Sequence, residues 1–181
     1  VEARLYAEDP ARGFLPSVGS LDHFDLGSEG RIETGVEEGD AISPFYDPMI
    51  AKLVARGEDR EEAIGELAAM LDEVEVWPVR TNAGFLLNAV LQPEFGRGEI
   101  DTGFIERHLD DLVPDAEPDE AIWRGAAAVA LAVDEDEEPF AGLAGFRLNA
   151  PQQTRVALGR HGEYRTASPD EGEFAVVSGF R

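Results

Sequence analysis

A strand that leads directly into an amphipathic helix is predicted by residues 49–71, MIAKLVARGEDREEAIGELAAML. The apolar run before Gly57 is interrupted only by Lys52, and a short apolar run that ends at a glycine is typical of a strand. Asp59 stands at a helix N-cap position with a glutamate three residues later, which is the spacing of a capping box. Apolar residues then recur at helical intervals, so we predict a helix over residues 60–73.

Further strands and helices are predicted on both sides of this unit. Short apolar or alternating runs predict four strands, at residues 4–7, 21–24, 31–36 and 74–79. Thr81–Asn82 can cap a helix that Pro93 stops, and Asp101–Thr102 can cap another. The inner stripe of that last helix is predicted to be Ile105, His108, Leu109 and Leu112. The fold class is therefore α+β, an antiparallel sheet with flanking helices.

A domain boundary is predicted after residue 112. Residues 113–120, VPDAEPDE, are rich in proline and acidic residues, as in a linker or exposed loop. An alanine-rich helix is predicted over residues 121–133, and alternating runs then predict short strands at 146–149, 154–158, 163–166 and 174–177. We therefore expect one domain over residues 1–112 and the beginning of a second, β-rich domain over residues 113–181.

The strong acidity of the chain excludes several classes of partner. Its 181 residues include 38 Asp and Glu but only 15 Lys and Arg, which gives a formal net charge of −23. Nucleic-acid-binding proteins display basic surfaces, and an anionic membrane would repel this chain. We therefore expect neither nucleic acid nor a membrane as a partner. With 43% hydrophobic residues the chain can still build a core.

The sequence also lacks the common short motifs of catalysis and metal binding. It has no cysteine, and its histidines, His23, His108 and His161, do not have metal-ligand spacing. No Gly-rich phosphate-binding motif or nucleophile elbow is present. No apolar run approaches the ~20 residues that span a bilayer, and the first residues do not have a signal-peptide pattern. We expect no metal site on these residues and a cytoplasmic location.

Three ordered groups of motifs resemble the C-terminal domain of biotin carboxylase, as found in biotin-dependent acyl-CoA carboxylases. The first is EARLYAEDP at residues 2–10, followed by FLPS. The second is ISPFYDPMIAKL at residues 42–53, followed by the pattern G-x-D-R-x-x-A. The third begins with Thr81–Asn82 and continues to Ile105. The resemblance implies an antiparallel sheet with flanking helices like a barrel-sandwich hybrid.

The same resemblance implies ATP-dependent carboxylation of biotin. In this family bicarbonate is activated by ATP to a carboxyphosphate-like species, and the biotin ureido nitrogen accepts the carboxyl group. The arginine of the E-x-R motif, here Arg4, reaches into the active site and is the predicted catalytic and substrate-binding residue. A guanidinium is always charged and offers a planar fork to bicarbonate or to the ureido oxygen. The alternative is an ordinary surface ion pair with neighbouring acids such as Glu2.

Three further residues have positions that the resemblance makes informative. Arg31 and, with it, Phe24 are candidate subunit-interface residues, because Arg31 corresponds to an arginine that faces the other subunit in the bacterial dimer. The alternative for Arg31 is a solvated strand residue. Lys52 is the only lysine in the chain, and we predict that it forms a structural ion pair with Asp47 rather than taking part in catalysis.

Other parts of the parent enzyme are expected to supply what this chain lacks. The family's ATP-grasp motifs and its A-M-K-M biotinylation motif do not occur in these residues. We therefore expect ATP, Mg²⁺ and biotin to be held by other domains and the isolated fragment to be inactive. The expected partners are the enzyme's own ATP-grasp domain, a biotin carboxyl carrier domain, a carboxyltransferase beta subunit and further copies of the chain.

The residues after the boundary resemble, less specifically, the linker domain of acyl-CoA carboxylase alpha chains. There a long helix is surrounded by a β-barrel that contacts the carboxyltransferase beta subunit, and residues 113–181 would be the helix and first strands of that domain. The parent enzyme would be of the propionyl-, methylcrotonyl- or acetyl-CoA type. Two alternatives remain: the equivalent part of a pyruvate or urea carboxylase, and a non-catalytic acidic interaction module that keeps the fold.

Overall fold

The central stretch of the sequence forms the strand and helix predicted for it. Strand β8 spans Met49–Val54 and helix α1 spans Arg60–Asp72. The Asp59 carboxylate accepts a hydrogen bond from the Glu62 backbone N–H at 3.0 Å, which satisfies one of the unpaired donors of the first turn. Glu62 in turn accepts from the backbone N–H of Glu58, so the cap is closed one residue earlier than in a regular capping box.

The computed structural model describes residues 1–115, 120–133, 156–160, 163–167 and 175–176. The chain divides into two units, Val1–Ala116 and Glu117–Arg181. In the first unit the remaining strands are β1 (Glu2–Tyr6), β2 (Glu8–Asp9), β3 (Leu15–Pro16), β4 (Gly19–Ser20), β5 (His23–Asp25), β6 (Arg31–Thr34), β7 (Ala41–Ile42) and β9 (Glu75–Trp77).

The main sheet of the first unit has the strand order β1–β8–β6, and both pairings are antiparallel. Strand β8 is therefore central, whereas β1 lies at an edge. The other strands form three antiparallel pairs, β2 with β3, β4 with β7, and β5 with β9. The α+β class, an antiparallel sheet with flanking helices, is confirmed.

Three helices follow α1 in the first unit: α2 (Ala83–Val90), α3 (Pro93–Arg97) and α4 (Phe104–Leu112). Pro93 was expected only to stop α2, but it also occupies the first turn of α3. Proline is well suited to that position, because its fixed φ is helical and its missing N–H would have no helical partner there.

The predicted inner stripe of α4 is correct for Leu112 and partly correct for His108, which is half-buried, but it is wrong for Ile105 and Leu109. Phe104 and Leu112 are buried together with Phe85 of α2, while Ile105 and Leu109 are exposed. Phe104 also contacts the ring of His108, with 5.1 Å between the ring centroids. The buried stripe therefore begins at the first residue of the helix, a position that apolar spacing alone could not distinguish from its neighbour.

The core of the first unit packs the buried side of the main sheet against α1. Leu53 of β8 and Ala3 of β1 lie in one cluster with Ile64, Leu67 and further apolar residues of α1. A second cluster contains Leu5, Ala51 and neighbouring loop residues. Because side chains alternate along a strand, the other side of the sheet is left for polar residues.

The second unit contains helix α5 (Glu120–Val133) and strands β10 (Val156–Arg160), β11 (Glu163–Ala167) and β12 (Ala175–Val176). Within its described residues the strands form an open antiparallel sheet in the order β10–β11–β12. Helix α5 and these strands agree with the predicted helix and three of the predicted strands. The strand predicted at residues 146–149 lies outside the described residues.

Candidate functional site

A row of charged side chains crosses the outer side of the main sheet. In the strand register Arg4 lies opposite Lys52, and Lys52 lies opposite Glu33. The preceding row, in which Ala3 pairs with Leu53, faces the core. Because the side-chain period of a strand is two, Arg4, Lys52 and Glu33 share the outer side. The sheet therefore presents the predicted catalytic arginine away from the core.

Arg4 is well exposed and held at one of its nitrogens. Its side chain is 62% exposed, and Nε donates a hydrogen bond to Glu2 Oε1 at 3.1 Å. This hydrogen bond, the charge of Glu2 and a smaller contribution from Tyr6 raise the pKa of Arg4 above its already high ordinary value. The guanidinium is therefore permanently charged and open to a ligand that approaches the sheet from outside.

Lys52 forms an ion pair, but its partner differs from the predicted one. Its Nζ lies 3.1 Å from Glu33 Oε2, and Arg31 holds the other oxygen of the same carboxylate. The hydrogen bonds from Lys52 and Arg31 lower the pKa of Glu33. Asp47 instead accepts a hydrogen bond from the backbone N–H of Met49 at 2.9 Å, before the strand begins. The cross-strand neighbour, rather than the residue nearer in sequence, thus pairs with the lysine.

The outer side of the sheet is locally positive in a strongly acidic chain. Arg4, Arg31 and Lys52 are opposed there by the carboxylates of Glu2 and Glu33. Both carboxylates already accept hydrogen bonds from these cations. We call these five residues the charged face, and its composition favours an anionic or strongly polar ligand.

Asn82 supports the strand that carries Arg4. Its residue type and position predict a helix cap, but its side chain makes no capping hydrogen bond to α2. Instead its Oδ1 accepts from the backbone N–H of Tyr6 at 2.9 Å, and its Nδ2 donates to the carbonyl of Arg4 at 3.4 Å. The Asn82 backbone N–H also donates to the carbonyl of Tyr6 at 3.1 Å. These contacts fix the free edge of β1.

The acidic residues that follow β1 have partners of their own. Asp9 is buried and lies 3.4 Å from Nε of Arg80, whose backbone N–H donates to Ser17. Glu8 is partly buried, and its pKa is raised mainly by desolvation and then by the charge of Asp47. The segment that leads into α2 is therefore tied to the chain beyond β1 as well as to β1 itself.

A family model described as "Biotin carboxylase C-terminal domain" matches residues 2–107. The chain belongs to this family. The matched range contains the charged face, Asn82 and helices α1 to α3, and it ends within α4. The family assignment predicted from the motifs is therefore confirmed, and Glu2 and Arg4 of the predicted E-x-R motif lie within the matched residues.

The relatives of this biotin carboxylase C-terminal domain match the chain over stretches of different length. The methylcrotonoyl-CoA carboxylase subunit alpha of Dictyostelium discoideum is 39% identical over 160 residues, 82% of this chain and 23% of that protein. Biotin carboxylase 2 of Bacillus subtilis is 39% identical over 111 residues, 60% of this chain and 25% of that protein. The chain spans about a quarter of the length of these relatives.

Solved structures of biotin carboxylases have the same fold. The biotin carboxylase domain dimer of Hydrogenobacter thermophilus 2-oxoglutarate carboxylase, in complex with MgADP, ADP and bicarbonate, has a TM-score of 0.60 and 33% identity. The match covers 64% of this chain and 26% of that one. The biotin carboxylase subunit of a pyruvate carboxylase matches with a TM-score of 0.60 and 31% identity over 63% of this chain and 26% of that one.

The structure does not bring the two predicted interface residues together in one sheet. Arg31 lies in β6 of the main sheet and is exposed at the charged face. Phe24 lies in β5, which pairs with β9, and its ring packs against the second core cluster. Arg31 is therefore the more accessible of the two in this biotin carboxylase domain.

The part of the chain that the structure describes contains neither a cluster of metal-binding side chains nor a membrane-spanning helix. No group of three or more His, Asp or Glu side chains there could hold a metal ion. In the same residues no helix is both long and apolar enough to cross a bilayer.

Proposed function

We propose that the chain is the C-terminal part of the biotin carboxylase component of an acyl-CoA carboxylase. That component carboxylates carrier-bound biotin with ATP and bicarbonate. The observation that carries the proposal is the placement of Arg4: the arginine of the family motif stands exposed on a locally positive face whose opposite side is core. A surface ion pair alone would not require a cation-rich face in a chain of net charge −23.

In this proposal Arg4 binds bicarbonate or the ureido oxygen of biotin. Its planar guanidinium can form two parallel hydrogen bonds to a carboxylate-like group, and Glu2 occupies Nε only. When a base of the ATP-grasp domain removes the proton from the ureido nitrogen, negative charge develops on the ureido oxygen, and a fixed cation beside that oxygen stabilises the charge until the nitrogen takes up the carboxyl group. MgATP, when bound by another domain, supplies the activation of bicarbonate. Glu2 keeps the guanidinium in place before the substrates arrive.

An acyl-CoA carboxylase alpha chain is the parent type that we favour. The similarity to the methylcrotonoyl-CoA carboxylase alpha subunits of Dictyostelium discoideum and Mus musculus covers 82% and 87% of this chain, whereas the similarity to Biotin carboxylase 2 of Bacillus subtilis covers 60% and that to four further alpha subunits 62–64%. This difference supports a division into the domains 1–112 and 113–181, with the second domain contacting a carboxyltransferase beta subunit. Pyruvate and urea carboxylases remain the alternative within the same fold.

The remaining partners follow from the same proposal. An ATP-grasp domain would bind ATP and Mg²⁺ and face Arg4, and a carrier domain would bring biotin, so that the isolated chain is inactive. We also propose an oligomer with Arg31 and Phe24 as candidate subunit-interface residues; one similar structure is a dimer. A cytoplasmic location is part of the proposal, although several similar proteins have "mitochondrial" in their names.

Substitution of Arg4 in the enzyme that joins this chain to its ATP-grasp domain tests the proposal. Arg4→Ala should lower biotin-dependent ATP cleavage by about a hundredfold, the usual effect of removing one donor to developing charge. Arg4→Lys should recover only a small part, because an ammonium does not reproduce the fork. The control is Arg97→Ala, since Arg97 also pairs through Nε with a glutamate two residues away, at 2.6 Å. Near-normal carboxylation by Arg4→Ala would contradict the proposal.

A further inference from the structure

We propose that Asn82 is a positioning residue for Arg4. This inference rests on the proposed role of Arg4 in biotin carboxylation and deepens it. Asn82 itself lies behind the charged face and would not touch the substrates. It would act by holding the backbone from which the Arg4 side chain projects.

Strand β1 lies at the edge of its sheet. An edge strand has backbone N–H and C=O groups on its outer side that no neighbouring strand satisfies. In β1 these include the carbonyl of Arg4 and both backbone groups of Tyr6, and all three are hydrogen-bonded to Asn82. The side-chain amide, with one acceptor and one donor, thus replaces a piece of a missing strand.

The support is placed where β1 most needs it. The register between β1 and β8 shifts between Leu5 and Tyr6, one residue after Arg4. Beyond this irregularity Tyr6 pairs with Met49 in a shifted register, and Ala7 N–H donates to the carbonyl of Pro48 at 2.8 Å, so the ladder is less regular there. Asn82 bonds to residues on both sides of the shift. It therefore holds β1 on the edge opposite β8 and prevents the end of the strand from moving.

Asn82 can hold β1 because it is itself immobile. It is 7% exposed, and its carbonyl accepts from the Leu86 backbone N–H at 2.9 Å at the start of α2. The next residues of that helix, including Ala83 and Phe85, are buried. A buried amide has no water to replace a lost partner, so the bonds to β1 are strongly favoured. The position of Arg4 is thus coupled to a packed helix.

The first test uses the 181-residue chain in solution. In the unmodified chain the Tyr6 amide should exchange its hydrogen slowly, and exchange as fast as in an exposed loop would overturn the proposal. Asn82→Asp keeps an acceptor for Tyr6 but loses the donor to Arg4, while Asn82→Ala loses both without adding a charge. Asn88→Asp is the matched control, because Asn88 is also in the α2 region and its Nδ2 donates to the carbonyl of Leu112 at 3.1 Å, away from β1.

Nuclear magnetic resonance of the Arg4 Nε–H group reports whether the side chain follows its backbone. We expect both Asn82 variants to shift and broaden this signal, and Asn82→Ala to speed exchange at Tyr6, with neither effect in Asn88→Asp. An unchanged Arg4 signal in a folded Asn82 variant would overturn the proposal. If neither variant folds, exchange at Tyr6 in the unmodified chain and the Arg4 signal and kcat/KM of Asn82→Gln, which keeps the amide on a longer side chain, decide the matter.

The second test measures kcat/KM for free biotin in the enzyme that contains the ATP-grasp domain. Asn82→Asp should lower it about tenfold, less than the roughly hundredfold that a displacement of 1 Å can cause. Asn82→Gln, which keeps the amide, should be less affected. In an Arg4→Ala background the same Asn82→Asp change should alter kcat/KM less than about twofold, because its effect passes through Arg4.

The outcomes separate this inference from the proposed function. Arg4→Ala alone decides whether Arg4 takes part in carboxylation. If Arg4→Ala is impaired but Asn82→Asp lowers kcat/KM equally with and without Arg4, the proposed function stands and the positioning role of Asn82 is overturned. If Asn82→Asp lowers kcat/KM when Arg4 is present but has no effect in the Arg4→Ala enzyme, the positioning role is supported.

Discussion

Leu53→Ala should destabilise the first unit strongly, because Leu53 lies behind the charged face at the centre of the core. The side chain is 0% exposed and packs with Ile64 and Leu67 of α1. The substitution removes three carbon atoms, worth about 0.8 kcal/mol each in transfer free energy, or about 2.4 kcal/mol. The cavity left beneath α1 should increase the loss to about 3–4 kcal/mol.

Amide hydrogen exchange measures this loss for the first unit alone. A decrease of about 3 kcal/mol should speed the slowest-exchanging amides of β8 and α1 roughly a hundredfold. The control is Leu15→Ala in β3, where the residue is 53% exposed and the expected change is within about 0.5 kcal/mol. A folded Leu53→Ala chain that loses less than about 1 kcal/mol would refute the view that α1 and the sheet enclose a rigid core.

Two further predictions concern exposed charges. Lys52→Met should raise the pKa of Glu33 toward its ordinary value, because the hydrogen bond from Lys52 is the largest cause of the lowered pKa. A carbon-13 titration of the Glu33 carboxylate measures this pKa, and an unchanged value would argue against the Lys52–Glu33 pair. The pKa of His23 is raised above 6.5, chiefly by its hydrogen bond to Glu75, so Glu75→Gln should lower it in a proton titration. The stabilisation from the His23–Glu75 pair is complete below the pKa of His23 in the unfolded chain and disappears as the pH rises through its raised pKa in the folded chain. A stability difference between the unmodified chain and Glu75→Gln that persists unchanged above that pH range would contradict the assignment.

Local signals in the sequence were sufficient to predict the elements that build the core. Asp59 marks the start of α1, because an N-cap acts on backbone groups two or three residues away. The apolar run of β8 is likewise readable within a few residues. Where a prediction depended on a choice between adjacent helix faces, as for Ile105 and Phe104 in α4, the local pattern was insufficient and packing with α2 decided the outcome.

The contacts that shape the site could not be predicted in the same way, because they join residues far apart in the chain. Lys52 and Glu33 meet only through the register of β8 with β6. Asn82 is 76 residues from Tyr6 and has the residue type of an N-cap, so its local context favours the wrong partner. The family motif was sufficient to predict Arg4 as a site residue, but neither composition nor spacing could show which residues hold its backbone.

An anion-binding role for Arg4 is compatible with a chain of net charge −23 because electrostatic effects depend on distance and solvent. At physiological ionic strength, exposed charges more than about 8 Å away are largely screened. The nearby carboxylate of Glu2 is already hydrogen-bonded to Arg4, and that of Glu33 to Lys52. If a neighbouring domain covers the charged face as proposed and excludes water, these local interactions strengthen while the distant surface remains solvated. Under the proposed function the global charge would affect the rate of encounter with bicarbonate, whereas Arg4 and its immediate neighbours would determine binding.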